Sequence, residues 1–405
     1  MNKYNKNFTI FTLGLLISGL GTQIYNFAIG LYVLKITGSS VNFSLTLIFS
    51  MLPQIILSPI AGNIADKISR KKMLVTMDYL CGITLIIVYF FSKTNSLSLI
   101  LIYFTSFLLS SFNAFFMVNI ESCIPNLVTK DKILKLNSIY SMIISLVRIA
   151  GPLLGGVCFG FFSIYSIIIF NAISFIFSAT LELFFDIEKK TIIIDKQTSF
   201  FYNLKEGLSY FVNNKILFYI TIYAMLVNFF SVNLSIALPY YCLEILKIDS
   251  SLFGFVQMGL PLGMVISSFL IALSKKDNKT ILKTTIMMIV VIGFLHIILS
   301  INMISNLNIN LKVLIIFMIQ LMIGFALGFV DIPINTIIQN IIHDNYRGRI
   351  LGIITSLSRM ITPISIFIFG LLVDNFKVYY TIIISAIAFF ILAALIKSNK
   401  KLQTT

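Results

Sequence analysis

Apolar runs near or above about 18 residues recur from one end of the sequence to the other, and no other feature constrains the fold as tightly. At about 1.5 Å per helical residue, such a run crosses a hydrocarbon core of about 30 Å. A backbone in lipid must satisfy its own hydrogen bonds, so these runs read as helices; a membrane barrel would show short alternating segments instead. Composition agrees. Of 405 residues 58% are hydrophobic and 11% charged, with mean hydropathy +0.98, against about 25% charged in an ordinary soluble domain. So little polar surface excludes a soluble enzyme.

Hydropathy and chain breakers together place spans near residues 8–34, 42–65, 73–92, 96–119, 138–162 and 164–185, then 215–242, 250–273, 281–303, 310–334, 349–373 and 378–397. The fold class is therefore all-α integral membrane with twelve transmembrane helices. The first run follows Lys3 and Lys6, as a signal peptide would, but it continues to about Leu34 without a small-residue cleavage site and reads as a retained span. Only the region of Ser163 separates the fifth span from the sixth.

The net charge of +15 is not gathered on a soluble face, as nucleic-acid binding requires, and no nucleic-acid partner is expected. Basic residues fall between the spans instead. If both termini are cytoplasmic, the inner segments hold 23 of them; the outer segments hold five, Lys35, Lys93, Lys247, Lys312 and Lys377. This is the positive-inside bias, and it predicts a multi-pass protein of a bacterial-type cytoplasmic membrane with both ends inside.

The longest interruption, 186–214, falls midway. Its second part sets Phe200, Phe201, Leu204, Leu208 and Phe211 at helical spacing opposite Lys205 and Glu206, which predicts a short amphipathic helix at the membrane interface. The expected organisation is a bundle over 1–185, a linker over 186–214 and a second bundle over 215–405. An internal repeat supports two pseudo-symmetric six-helix bundles. Ser145-Leu-Val-Arg-Ile-Ala-Gly-Pro152 is echoed by Ser356-Leu-Ser-Arg-Met-Ile-Thr-Pro363, and Leu52-Pro53 by Leu260-Pro261, at one common spacing of about 210 residues.

Several residues stand out against this background. Gly62-Asn-Ile-Ala-Asp66-Lys-Ile-Ser-Arg70-Lys71-Lys72 follows the second span: Gly62 permits close helix contact, and Asp66 is an acid opposing the local charge bias, which calls for a cation or a helix N-terminus. The plainer reading is a basic inner loop that contains one aspartate. Gly151-Pro152-Leu-Leu-Gly155-Gly156 lies deep in the fifth span, where glycines admit a neighbouring helix and Pro152 removes a backbone bond. Arg148 and Arg359 lie some ten residues inside their spans, where a cation costs about 2.5 kcal/mol or more unless it faces a polar interior or an acid. Either they contact an anionic group or a switchable partner, or they form static pairs that lock helices together.

The acids Asp78, Glu121, Glu182, Asp331 and Asp374 fall near span ends. Glu121 and Asp331 are the candidates for proton coupling, with a solvated interfacial acid as the alternative for each. Gln23, Asn26, Ser110, Asn113, Tyr223, Asn228 and Gln320 sit within spans; with Phe112, Phe115, Phe229 and Phe325 they either line an apolar pocket with polar anchors or bond helix to helix. Cys81, Cys123, Cys158 and Cys242 have no metal or redox spacing and read as packing residues. No metal site and no catalytic cluster is expected.

With twelve spans in two halves and the Gly62–Lys72 segment between the second and third, the chain resembles the major facilitator superfamily over nearly its whole length. Ile17-Ser-Gly-Leu-Gly21, Thr37-Gly38-Ser39, the stretch from Leu52 to Gly62, Gly151-Pro-Leu-Leu-Gly-Gly156 and Tyr346-Arg-Gly-Arg349 are similar to its macrolide-efflux and siderophore-exporter branch. The resemblance implies the major facilitator fold, with halves that rock about a central site lined by the first, fourth, seventh and tenth spans. It assigns Gly62, Asp66, Arg70 and Lys71 to a cytoplasmic gate motif, with Arg347 and Arg349 leading into the eleventh span. Arg148, Gly151, Pro152, Gly155 and Gly156 would form an antiporter-like motif. Gln23, Asn26, Asn113, Glu121, Asn228, Gln320, Asp331 and Arg359 remain cavity or coupling candidates. One departure is plain: many relatives carry an aspartate after the glycine of the first span, where this chain has Thr22.

The function expected from the resemblance is secondary active transport: proton-driven export, by alternating access, of a hydrophobic or amphipathic molecule, macrolide or drug-like. A siderophore or lysolipid carrier is the alternative, favoured if Arg148 and Arg359 both point into the cavity; a non-transporting sensor or scaffold is a third. No cofactor is expected beyond a proton gradient. The expected partners are a small-molecule substrate and the bilayer, and the expected state is a monomer.

Overall fold

The computed structural model describes residues 3–399 apart from 66–68, 96, 129–131, 187–208, 210, 274–277 and 343–346. Among the described residues there are 12 helical segments long and apolar enough to cross a membrane, and no strands. The first six are α1 (Lys3–Thr37), α2 (Ser40–Ala65), α3 (Arg70–Asn95), α4 (Leu99–Leu127), α5 (Ile133–Phe161) and α6 (Ile164–Glu182). The seventh span comprises α7 (Lys215–Ser231), α8 (Asn233–Pro239) and a π-helical turn over Tyr240–Ile245; the eighth comprises α9 (Ser250–Gln257) and α10 (Gly259–Leu273). The remaining four are α11 (Asn278–Ile304), α12 (Ile309–Ile341), α13 (Arg347–Asn375) and α14 (Val378–Ser398).

Local chemistry sets the helix ends. Gly38 takes φ +59 after α1, a left-handed conformation that favours glycine, while Thr37 Oγ1 bonds back to Val33 O and accepts from Ser39 N. The Thr37-Gly38-Ser39 motif is thus a helix stop and restart. Ser163 caps α6 by accepting from Ser166 N at 3.2 Å, which makes a two-residue break of Phe162 and Ser163 sufficient. Ser98 and Asn214 cap α4 and α7 in the same way. Inside the spans, hydroxyls such as Thr22, Thr84 and Thr105 bond to the carbonyl four residues earlier, which satisfies them within their own helix.

The chain divides into two compact units, one of Met1–Ile194 with Ile248–Phe255 and the other of Asp195–Lys247 with Val256–Thr405. The segment that opens the eighth span groups with the first unit. In the first unit α1 packs on α5 and α6, α2 on α4, and α3 on α4 and α6. The second unit repeats the scheme helix for helix, with α7 on α13 and α14, α10 on α12, and α11 on α12 and α14. Faces left exposed are apolar, as in Ile83, Ile87, Phe90 and Phe91 of α3 or Phe170, Ile173 and Phe177 of α6, which is the pattern of helices in hydrocarbon. The amphipathic helix expected at 200–211 lies outside the described residues except for Ser209 and Phe211.

Candidate functional site

In the first unit, glycines decide how close α5 comes to α1. A Cβ on Gly151 would lie 2.7 Å from Gln23 Cβ, and one on Gly155 2.9 Å from Phe27 Cβ. Gln23 is thereby a packing residue of the α1–α5 contact. On another face of α5, a Cβ on Gly156 would meet the Ser250 carbonyl and stand 2.9 Å from Gly254 Cα, in the short segment that groups with this unit. Pro152 lies inside α5 and its carbonyl also closes on Gly254. The Gly-Pro element is therefore a two-sided helix contact.

Further along α1, a small polar cavity of about 30 Å³ opens between Thr22, Asn26, Ser50, Ser106, Leu109, Ser110, Asn113, Asn171 and Phe175. Gly21 makes room for it: a Cβ there would lie 2.7 Å from Asn171 Oδ1. Asn171 Oδ1 accepts from Ser174 Oγ at 3.2 Å, which leaves its Nδ2 unpartnered, as is the buried hydroxyl of Ser110. The volume admits water and is roughly tenfold too small for a drug-sized ligand. Asn26 and Asn113 were legible as polar anchors from the sequence; Ser50 and Asn171 were not, because α2 and α6 give no signal until the helices are packed.

The two span arginines share a setting. Arg148 is exposed on α5 in line with Ser141 and Ser145, and Arg359 is exposed on α13 beside Thr355 and Ser356. Spacings of three, four and seven residues put each set on one helix face. Hydrocarbon does not tolerate such a stripe cheaply, so these faces belong to water or to polar partners.

The remaining candidates separate. Lys71 Nζ donates to the Phe185 carbonyl at 2.7 Å, just past the end of α6, beside Asn7, which bonds Leu127 O and Asp186 O. Arg70 begins α3 half-buried. Asp66 lies outside the described residues, and of Glu121, Arg347 and Arg349 only the helical backbone is described. Asn228 is exposed on α7. Gln320 is buried and donates through Nε2 to Gln257 Oε1 at 3.3 Å, which matches the helix-to-helix bonding read as its alternative. Asp331 is exposed, but α12 continues to Ile341, so it stands well inside the helix and not at its end. Asp78 and Glu182, read from the sequence only as acids near span ends, are both buried at 2% exposure. Phe229 and Phe325 make edge-on or tilted ring contacts within their own unit, with Phe230 and Phe369 and with Phe329 respectively. The four cysteines are free, and among the described residues no cluster is suited to a metal ion.

Two units of like-packed apolar spans define a polytopic membrane protein with an internally duplicated fold. The chain belongs to the Major Facilitator Superfamily, whose pattern it matches over residues 11–365. Among its relatives is the Bacillus subtilis MFS-type transporter YfiS, 27% identical over 198 residues, which are 48% of this chain and 46% of YfiS. Macrolide efflux protein A of Streptococcus pyogenes is 22% identical over 293 residues, 70% of this chain and 71% of that protein. The chain spans about half the length of YfiS and of YkuC, another Bacillus subtilis relative, in these matches. Among solved structures, a bacterial homologue of the iron transporter ferroportin in an inward-facing state has TM-score 0.77 at 16% identity, covering 98% of this chain and 99% of that one. The nucleoside transporter NupG has TM-score 0.72 at 12% identity, with the same coverage. At such identities these likenesses show the fold alone.

Proposed function

We propose that this chain is a secondary active transporter that exports a hydrophobic or amphipathic small molecule from a bacterial-type cell by proton antiport. The observation that carries this reading is the polar face repeated in the two units, Ser145 and Arg148 on α5 and Ser356 and Arg359 on α13, set at equivalent points of a duplicated packing scheme. A duplicated fold with polar faces on matching spans is what an alternating-access carrier needs, since each half must present hydrogen-bonding groups to the same passing solute. The 22% identity to a macrolide efflux protein favours export and an amphipathic substrate. A proton entering down a 100 mV potential supplies about 2.3 kcal/mol, enough for roughly a 50-fold gradient of an uncharged solute. Gly62, Asp66 and Arg70 would work as the gate, and Gly151, Pro152, Gly155 and Gly156 as the contact that shapes the change of access.

A siderophore or lysolipid carrier is the second reading, and the exposure of both arginines favours it, because guanidinium forks suit carboxylate and phosphate groups. Cells that overproduce the protein, loaded with macrolides, dyes, lysolipids or siderophores and followed with and without a protonophore, separate the two. Protonophore-sensitive loss of a neutral or cationic amphiphile supports drug-like export; loss confined to anionic compounds supports the second reading. Retention of every compound contradicts both.

A further inference from the structure

Asp78 on α3 and Ser178 and Glu182 on α6 form a polar cluster that neither transport reading uses. α3 and α6 pack against each other; both carboxyl side chains are 2% exposed and Ser178 is fully enclosed. Ser178 and Glu182, four residues apart, share one face of α6. That face meets Asp78: the Ser178 hydroxyl stands beside the Asp78 carboxyl without a bond of good geometry, and Asp78 lies near enough for its charge to reach Glu182. From a third side α1 closes in, where a Cβ on Gly14 would come within 3.2 Å of Ser178 Oγ. Asp78 Oδ2, Ser178 Oγ and Glu182 Oε2 all lack a hydrogen-bond partner among the described residues.

The groups around the cluster do not neutralise it. Cys81 faces Asp78 from α3 itself, and Cys123 of α4 lies between the influences of Arg70 and Glu182. Lys71 is bound to the Phe185 carbonyl, and Lys6 of α1 lies over the Phe184 ring, 5.5 Å from its centroid. Among the described residues no ion pair reaches either carboxyl. Two carboxylates side by side in an apolar interior repel each other and have lost their hydration; one shared proton removes the repulsion and most of the charge. The same proton supplies a donor that the cluster otherwise lacks, since two ionised carboxylates only accept and leave Ser178 as the single donor for two orphaned oxygens.

We propose that Asp78, Ser178 and Glu182 form a proton-binding site inside the first unit, holding one proton between the two carboxyl groups. Loading converts the dianion to a carboxylic acid bonded to a carboxylate, discharge reverses this, and no other bond changes. The site acts through α3, whose first residue is Arg70 of the gate motif, two turns of helix from Asp78. Its part in transport rests on the proton-driven reading, whereas its proton occupancy does not.

Infrared spectroscopy of the full chain in lipid at pH 7.5 tests the occupancy. A protonated-carboxyl stretch that shifts in D2O is expected in the wild type, moved or lost in Asp78→Asn and in Glu182→Gln, and absent from the double variant. Thermal unfolding shows which variants remain folded, and if the double variant does not, the band shift in the single variants decides. No such band in the wild type, or a band unchanged by either substitution, overturns the site. The band without protonophore-sensitive efflux upholds the site and removes the transport reading; efflux without the band does the opposite.

Discussion

Single side chains carry the most specific expectations. Arg148 and Arg359 are exposed on their helices, so removing either takes away no core packing. Arg148→Ala should therefore leave the unfolding temperature within a few degrees of wild type. A hydrogen bond to a charged group is worth about 1.5–3 kcal/mol, so the affinity for an anionic transported compound should fall by about 10- to 100-fold. Arg148→Lys should recover only part of this, because lysine lacks the planar fork; a transport assay over a range of substrate concentrations reads both. Lys71 points the other way. Bound to the Phe185 carbonyl, it holds the end of α6, and Lys71→Met should cost about 1–2 kcal/mol in unfolding free energy with substrate selectivity unchanged. At this scale the sequence was only partly readable. The arginines announced themselves as costly cations deep in apolar runs, but the burial of Asp78 and Glu182 depends on α3 packing along α6, which no local pattern in either helix encodes.

Helices were the most legible level, because lipid permits so few backbone solutions that a run of apolar residues fixes both type and extent. All 12 spans fall where hydropathy places them. The interruptions of the seventh and eighth spans were not foreseen: Pro239 precedes the π-helical turn, and Met258 separates α9 from α10, in runs whose hydropathy is continuous. Nor was the contact between α10 and α12 foreseen, although its signal was present as Gly259-x-x-x-Gly263 against Gly324-x-x-x-Gly328. A Cβ on Gly263 would lie 2.6 Å from Phe325 N, and one on Gly324 2.8 Å from the Leu260 carbonyl carbon. Neither neighbour is a flexible side chain. Gly263→Val and Gly324→Val should each cost at least about 1–3 kcal/mol by overpacking, seen as a lower unfolding temperature in lipid or detergent. Arg148→Ala, measured alongside them, is the control that should not move it.

For the whole molecule, the duplicated packing scheme gives physical content to the weak internal repeat. The Ser-x-x-Arg echo is short, but it recurs where α5 packs on α1 and α13 on α7, so the duplicated sequence marks a duplicated contact. Charge distribution sets the expected orientation. Cysteines placed at Lys35, Lys93 or Lys377 should react with a membrane-impermeant thiol reagent on intact cells, and cysteines at Lys71 or Lys279 only after permeabilisation; the reverse pattern would invert the topology. What the chain carries lay beyond the sequence, because substrate choice depends on faces assembled from several helices.

The central claim, proton-driven export, is tested most directly in everted membrane vesicles that hold an acid interior and report it by the quenching of a pH-sensitive dye. Adding a transported compound to the outer medium, which is the former cytoplasmic face, should restore fluorescence, because each compound taken inward brings a proton out. The effect should be absent from vesicles without the protein. Transport of the compound with no change in the proton gradient would contradict antiport, whatever the substrate.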